Sequence, residues 1–185
     1  MRNPSSRPLR SLTQKQLHEK FESALAAADG EDGAHCIHEL WMRGDIGSSI
    51  EQRISRLWSV AADGIPDWLP MRYVEWLPLA YEATQEFQTK KRGKHNVYLV
   101  LLDYADSRNE PHGIYVGMSR YEPAERFDQH KAGIRAAGCV TRRGLEVLTG
   151  PTLHLQRISR ADAARIEEQL AEALTARGIF VQGGH

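Results

Sequence analysis

At 185 residues the chain has room for one domain or two small ones, and with 41% hydrophobic and 26% charged residues its composition is that of an ordinary globular protein. Lys+Arg and Asp+Glu balance at 24 each, which argues against a generally basic nucleic-acid coat and makes local charge the informative quantity. No run approaches the roughly 18 apolar residues of a membrane span, and the N-terminus lacks a signal-peptide apolar core. Cys36 and Cys139, one in each half, make no disulfide framework, so a cytoplasmic protein with reduced thiols is expected.

Residues 1–10, with two prolines, two serines and three arginines, read as a flexible tail. Residues 11–94 read as a helical N-terminal domain. Leu17, Phe21, Ala24, Leu25 and Ala28 keep helical spacing until Asp29-Gly30. A second helix is expected over Ala34 to Met42 and a third over Ser48 to Ala62, where Ile50, Ile54, Leu57 and Trp58 make one face. Trp68-Leu69-Pro70 and Trp76-Leu77-Pro78 read as helix starts and stops with core tryptophans, or alternatively as a stacking platform for bases. His35-Cys36-Ile37-His38-Glu39 suggests a metal, but a structural zinc site needs a second spaced pair that this half lacks, so a buried cysteine flanked by surface histidines is expected. Gln88 to Lys94, with Lys90, Lys91, Arg92 and Lys94, is a basic linker to the second half.

Residues 95–185 read as strand, strand, helix, loop, strand, helix. His95 to Leu102 is a strong buried strand. Gly113 to Met118 is a second, with Ile114, Tyr115 and Val116 before Gly117. Pro123 suits a first helical position, and that helix is expected to run to Gly138, with Phe127 and Ile134 on the buried stripe beside Arg126 and His130, which lie one turn apart. A third strand is expected over Thr152 to Ile158, and Ser159 caps the last helix. On that helix Ala163, Ile166, Leu170 and Leu174 share one stripe, and Glu167 falls about 40° round from Ala163, on the edge of the stripe. An ionised carboxylate there costs several kcal/mol unless it is paired, with Arg126 as one candidate, or binds a metal.

Tyr98, then Tyr115-Val116-Gly117, then Arg126-x-x-x-His130-Lys131, then Ala163-x-x-x-Glu167 resembles the signature of the GIY-YIG nuclease superfamily; the literal Gly113-Ile114-Tyr115 is a decoy, because no second tyrosine strand follows it. The resemblance covers about half the chain. It implies an α+β fold with a small three-stranded mixed or antiparallel sheet flanked by helices, here preceded by an all-α domain. It implies a metal-dependent endonuclease in which Tyr98 and Tyr115 orient the water, Tyr98 is the general base helped by His130, Arg126 clamps transition-state charge, and Glu167 holds Mg²⁺ or Mn²⁺. The substrate would be nucleic acid, DNA rather than RNA, met by Gly117, Lys131, Arg135, Arg142 and Arg143. From Arg126 to Arg160 seven Lys/Arg face two carboxylates, which suits a phosphate backbone or equally a solvated face. The family's usual asparagine on or after the last helix has no counterpart, although Gln182 offers the same amide. A non-catalytic module that binds nucleic acid or protein, and a protein partner for residues 11–94, remain alternatives.

Overall fold

The computed structural model of the chain describes residues 8–43, 45, 48–66, 69 and 74–184. The fold divides into two compact units, Met1–Pro78 and Leu79–His185.

The described part of the first unit is helical. Thr13 opens α1 (Gln14–Ala26) with a reciprocal capping box to Gln16. The turn after it is made by Ala28 at φ 52, one residue before the expected stop, which frees Asp29 to cap α2 (Gly30–Met42) by accepting from the Asp32 amide. Helix α2 is the centre of the unit, with Gly33 to Trp41 all buried between α1 and α3 (Ser48–Ala61). His35 and His38 are therefore core residues, at 3% and 4% exposure, and not the surface histidines expected. Burial pushes the Cys36 thiol up to about 12, so it stays a neutral thiol. Within the expected tail, Leu9 is buried, and the Leu9 and Arg10 carbonyls accept from Arg43; residues 1–7 lie outside the described residues. Of the two Trp-Leu-Pro repeats, the second marks the start of α4 (Leu77–Gln85), whereas Trp68 and Pro70 of the first lie outside the described residues.

The second unit is built on a sheet of four strands, not three, in the order β3-β1-β2-β4. Strands β1 (Asn96–Asp103) and β2 (His112–Ser119) form an antiparallel hairpin with Asn96 opposite Ser119 and Asp103 opposite His112. Residues 97–102 of β1 are all buried because both faces of the sheet are covered. One face carries Tyr98, Val100 and Leu102 against Val140 and Phe127. The other lies under α8 (Arg160–Ala176), whose Ala163, Ile166, Leu170 and Leu174 are fully buried as the stripe predicts and whose N-cap is Ser159.

Three expectations are corrected here. The helix α5 (Pro123–Lys131) stops at Gly133 in the left-handed region, φ 78, where Ile134 N–H reaches the Gln129 carbonyl at 2.8 Å and Gly133 N–H the His130 carbonyl at 3.1 Å. That paired closure leaves Ile134 in the loop, 56% exposed, and Gly138 opens the short α6 (Gly138–Arg143) instead of ending a helix. The third strand is β3 (Gly144–Val147), which takes the edge of β1 around a bulge at Leu101/Leu102. Residues Thr149–Thr152 form a helical turn, α7, containing Pro151, which cannot donate to a ladder, and of the expected strand Thr152 to Ile158 only Ile158 pairs, in a bridge to His95. Finally, β4 (Val181–Gly183) follows the left-handed Gly178 and lies parallel to β2, placing Gln182 opposite Tyr115.

No helix among the described residues is long and apolar enough to cross a membrane. A Cβ at Gly93 would sit 1.9 Å from the Ile158 carbonyl oxygen, so the entry to β1 depends on glycine there. Gly93→Ala is expected to lower stability by about 2–3 kcal/mol, read as a lower urea midpoint; a variant as stable as wild type would contradict this packing.

Candidate active site

Tyr98 lies in β1 at 1% exposure and Tyr115 lies half-buried in β2 on the same face, since the register sets Tyr98 opposite Gly117 and Val100 opposite Tyr115. Their rings are 6.1 Å apart at the centroids. Gly117 makes this arrangement possible: a Cβ there would lie 2.6 Å from a Tyr115 ring carbon and 2.8 Å from the Tyr98 hydroxyl. The close approach that the glycine permits is thus to the two phenols.

Helix α5 brings His130 against both rings, 6.3 Å from Tyr98 and 5.7 Å from Tyr115 between centroids. It is 1% exposed, not at the surface, and both ring nitrogens are engaged. Nδ1 accepts from the Ala137 amide at 2.9 Å, and Nε2 lies 2.9 Å from the Tyr98 hydroxyl. A backbone amide can only donate, so Nδ1 carries no proton; the neutral ring is protonated at Nε2 and donates to Tyr98. Burial first, and then the Arg126 charge, lowers the His130 pKa to about 4.

Arg126, one turn earlier, donates to the Gln129 side chain and to the Ile134 and Arg135 carbonyls at 3.0, 3.1 and 2.7 Å. It thereby ties down the closing turn of α5 while its charge favours ionisation of both tyrosines. Glu167 reaches the opposite side of β2, where its Oε1 accepts from the Met118 amide at 3.1 Å. The reason is visible in the edge: the Ile114 amide donates to the Phe180 carbonyl leading into β4, β4 ends opposite Val116, and the next amide of that row, Met118, is met by the carboxylate. Burial raises both phenols above the ordinary tyrosine range, Tyr98 the further, and the Glu167 charge adds to the effect on Tyr115.

Tyr98, Tyr115 and His130 thus form one cluster of rings, with the Arg126 charge felt at both phenols and the Glu167 charge at Tyr115. The described residues contain no cluster of three or more His, Cys, Asp or Glu that could cage a metal. A single partly buried carboxylate still fits Mg²⁺ or Mn²⁺, because such hard cations keep several waters and take the rest of their shell from phosphate oxygens.

The basic residues expected to meet nucleic acid are placed unevenly. Lys131 donates to the Thr141 and Gly144 carbonyls at the end of α6, at 3.2 and 3.1 Å. Arg143 is held by Asp106 at 2.6 Å and stacks over Tyr104 at 4.5 Å. Arg135 and Arg142 are exposed, Arg135 with a left-handed φ of 45. Two contributors were missed by sequence reading: the Ala137 amide, a backbone group with no side-chain signal, and Asn96, buried at 2%, whose side chain joins Arg157 and Tyr121. A concavity of about 780 Å³ along residues 105–110 lies at the far end of the hairpin from the tyrosines.

No protein-family model, curated protein or solved structure matches the chain.

Two outcomes follow. Because His130 is neutral in the fold and binds a proton only near pH 4, the unfolded chain protonates first on acidification; its stabilising effect is present above pH 6.5 and lost between about 6.5 and 4. Denaturant titrations should show His130→Gln flattening that loss by on the order of 2 kcal/mol, and parallel curves for variant and wild type would refute the assignment. Gly117→Ala should cost about 1–3 kcal/mol by overpacking and change tyrosine fluorescence; an unperturbed spectrum and midpoint would contradict the close approach.

Proposed function

We propose that the second unit is a metal-dependent endonuclease of the GIY-YIG kind, cutting phosphodiester bonds in DNA in the cytoplasm, with the first unit selecting the substrate or a partner. The observation that carries this reading is the packing of two phenols against a neutral imidazole on β1 and β2, with a guanidinium charge felt at both phenols and a carboxylate charge at Tyr115.

Hydrolysis needs an aligned water, a cation facing the non-bridging oxygens, and stabilisation of the departing alkoxide. Tyr98 and Tyr115 offer phenolic oxygens side by side to orient the water. His130 holds Tyr98 by donating a hydrogen bond, which stabilises a phenolate and does not remove the phenol's proton. Its help to the base is therefore electrostatic. Burial keeps Tyr98 neutral in the free protein, so the fraction competent as a general base grows with pH. Arg126, fixed by two carbonyls, presents positive charge beside both phenols and would clamp the charge that develops on the phosphate. A divalent cation held by Glu167 would supply Lewis-acid stabilisation of the leaving oxygen.

A second reading, a module that binds nucleic acid without cutting it, draws support from Glu167 serving the Met118 amide and from the raised Tyr98. Glu167→Gln separates the two, because the amide oxygen can still accept from Met118 while the charge is gone. With supercoiled plasmid in Mg²⁺ or Mn²⁺, wild type should nick and linearise DNA, EDTA should abolish this, and Glu167→Gln and Arg126→Ala should each lose about 10²–10³-fold. Absence of cutting and of metal binding in wild type would favour the binding module.

A further inference from the structure

At the same end of the hairpin, beyond the first residue of β1 and the last of β2, a cavity of about 380 Å³ is lined by Gly93, Lys94, Asn96, Arg120, Glu122 and Arg157. Three cations face it against one carboxylate. They come from three segments that are far apart in sequence and are fastened together by hydrogen bonds. Asn96 accepts from the Arg157 amide at 3.0 Å and donates to the Tyr121 carbonyl at 2.9 Å. Gly93 and His95 amides donate to the Arg157 and Ile158 carbonyls at 3.0 and 3.1 Å, and the Ile158 amide returns a bond to His95 at 2.9 Å. The walls are thus held by backbone, and the charged heads project from a fixed frame.

Lys94, Arg120 and Arg157 form no ion pair among the described residues, in contrast to Arg143, which is matched to Asp106. Arg157 adds a second observation: its φ is 58, a left-handed conformation that glycine adopts at no cost and a long side chain does not. An arginine kept at such a position, with its head exposed at the cavity, retains strain that its side chain does not relieve by bonding within the fold.

We propose that this cavity is a second phosphate-binding subsite, holding a backbone phosphate that flanks the scissile one. The assignment rests on the nuclease reading above. Asn96 and Tyr98 are two strand residues apart, roughly 7 Å, which matches one or two nucleotides on a backbone that carries a charge about every 3.4 Å along the axis in each strand. The polynucleotide is therefore gripped on the hairpin end by Lys94, Arg120 and Arg157, and Lys131, Arg135, Arg142 and Arg143 of α5, α6 and the loop between them, two of which are already spent on the fold, are secondary.

The test uses the full chain in EDTA with a fluorescent DNA duplex and a single-stranded RNA of equal length, measuring affinity as a function of NaCl. Arg120→Gln and Arg157→Gly should each reduce the slope of log affinity against log salt by about 0.9 on the duplex or about 0.7 on the single strand. Arg165→Gln, on the exposed face of α8, should leave it unchanged. Arg157→Gly should also melt no lower than wild type while binding more weakly, a combination that a purely structural arginine does not give. Wild-type slopes in both variants overturn the subsite and leave the nuclease reading standing if wild type still cuts. Slope changes without metal-dependent cutting keep the subsite and sink the hydrolase, and a wild type that binds neither probe overturns both.

Discussion

The imidazole of His130 is the joint on which the geometry of the second unit's tyrosine cluster depends. It is buried between two tyrosines and the start of α6, accepts one backbone amide through Nδ1, and so has its remaining proton directed at Tyr98. This fixes the tautomer, the orientation of the ring and the rotamer of the phenol together. It also accounts for the order of nearby elements. Helix α5 has to end within a turn of His130 so that the chain can double back to present Ala137, and Gly133 supplies that end.

Several residues carry a structural duty alongside the chemical one assigned to them. Arg126 closes the turn after α5, Glu167 meets the amide of β2 that β4 is too short to reach, and Gly117 leaves space for two rings. Such sharing lowers the number of mobile groups at the site, because a side chain already fixed by the fold loses less rotamer freedom when a ligand arrives. It also means that alanine substitutions at these positions mix folding with function, and that isosteric changes are the informative ones.

Much of the second unit was legible in the sequence. The buried run of β1, the proline that opens α5, the serine that caps α8 and the off-stripe Glu167 each carry a strong local signal, and they were read in their correct places. What was missed depended on partners remote in sequence. Leu145 and Val147 make too short an alternation to stand out, and β3 exists because the edge of β1 is open to it. Residues 181–183 become a strand only because α8 delivers them beside β2. The choice of Gly133 over Gly138 as a helix stop, and the burial of His35 and His38, are settled by packing, which periodicity does not encode.

If Tyr98, held by His130, is the chemical centre of a phosphodiester hydrolase as proposed, Tyr98→Phe removes that centre. The substitution removes one oxygen from a side chain that is otherwise wholly packed. In a single-turnover cleavage assay with labelled DNA duplex and Mg²⁺, a loss of about 10²–10⁴-fold is expected, far beyond the about 1–3 kcal/mol of stability lost when the buried His130 N–H is left without its acceptor. Cleavage by Tyr98→Phe at the wild-type rate would contradict it.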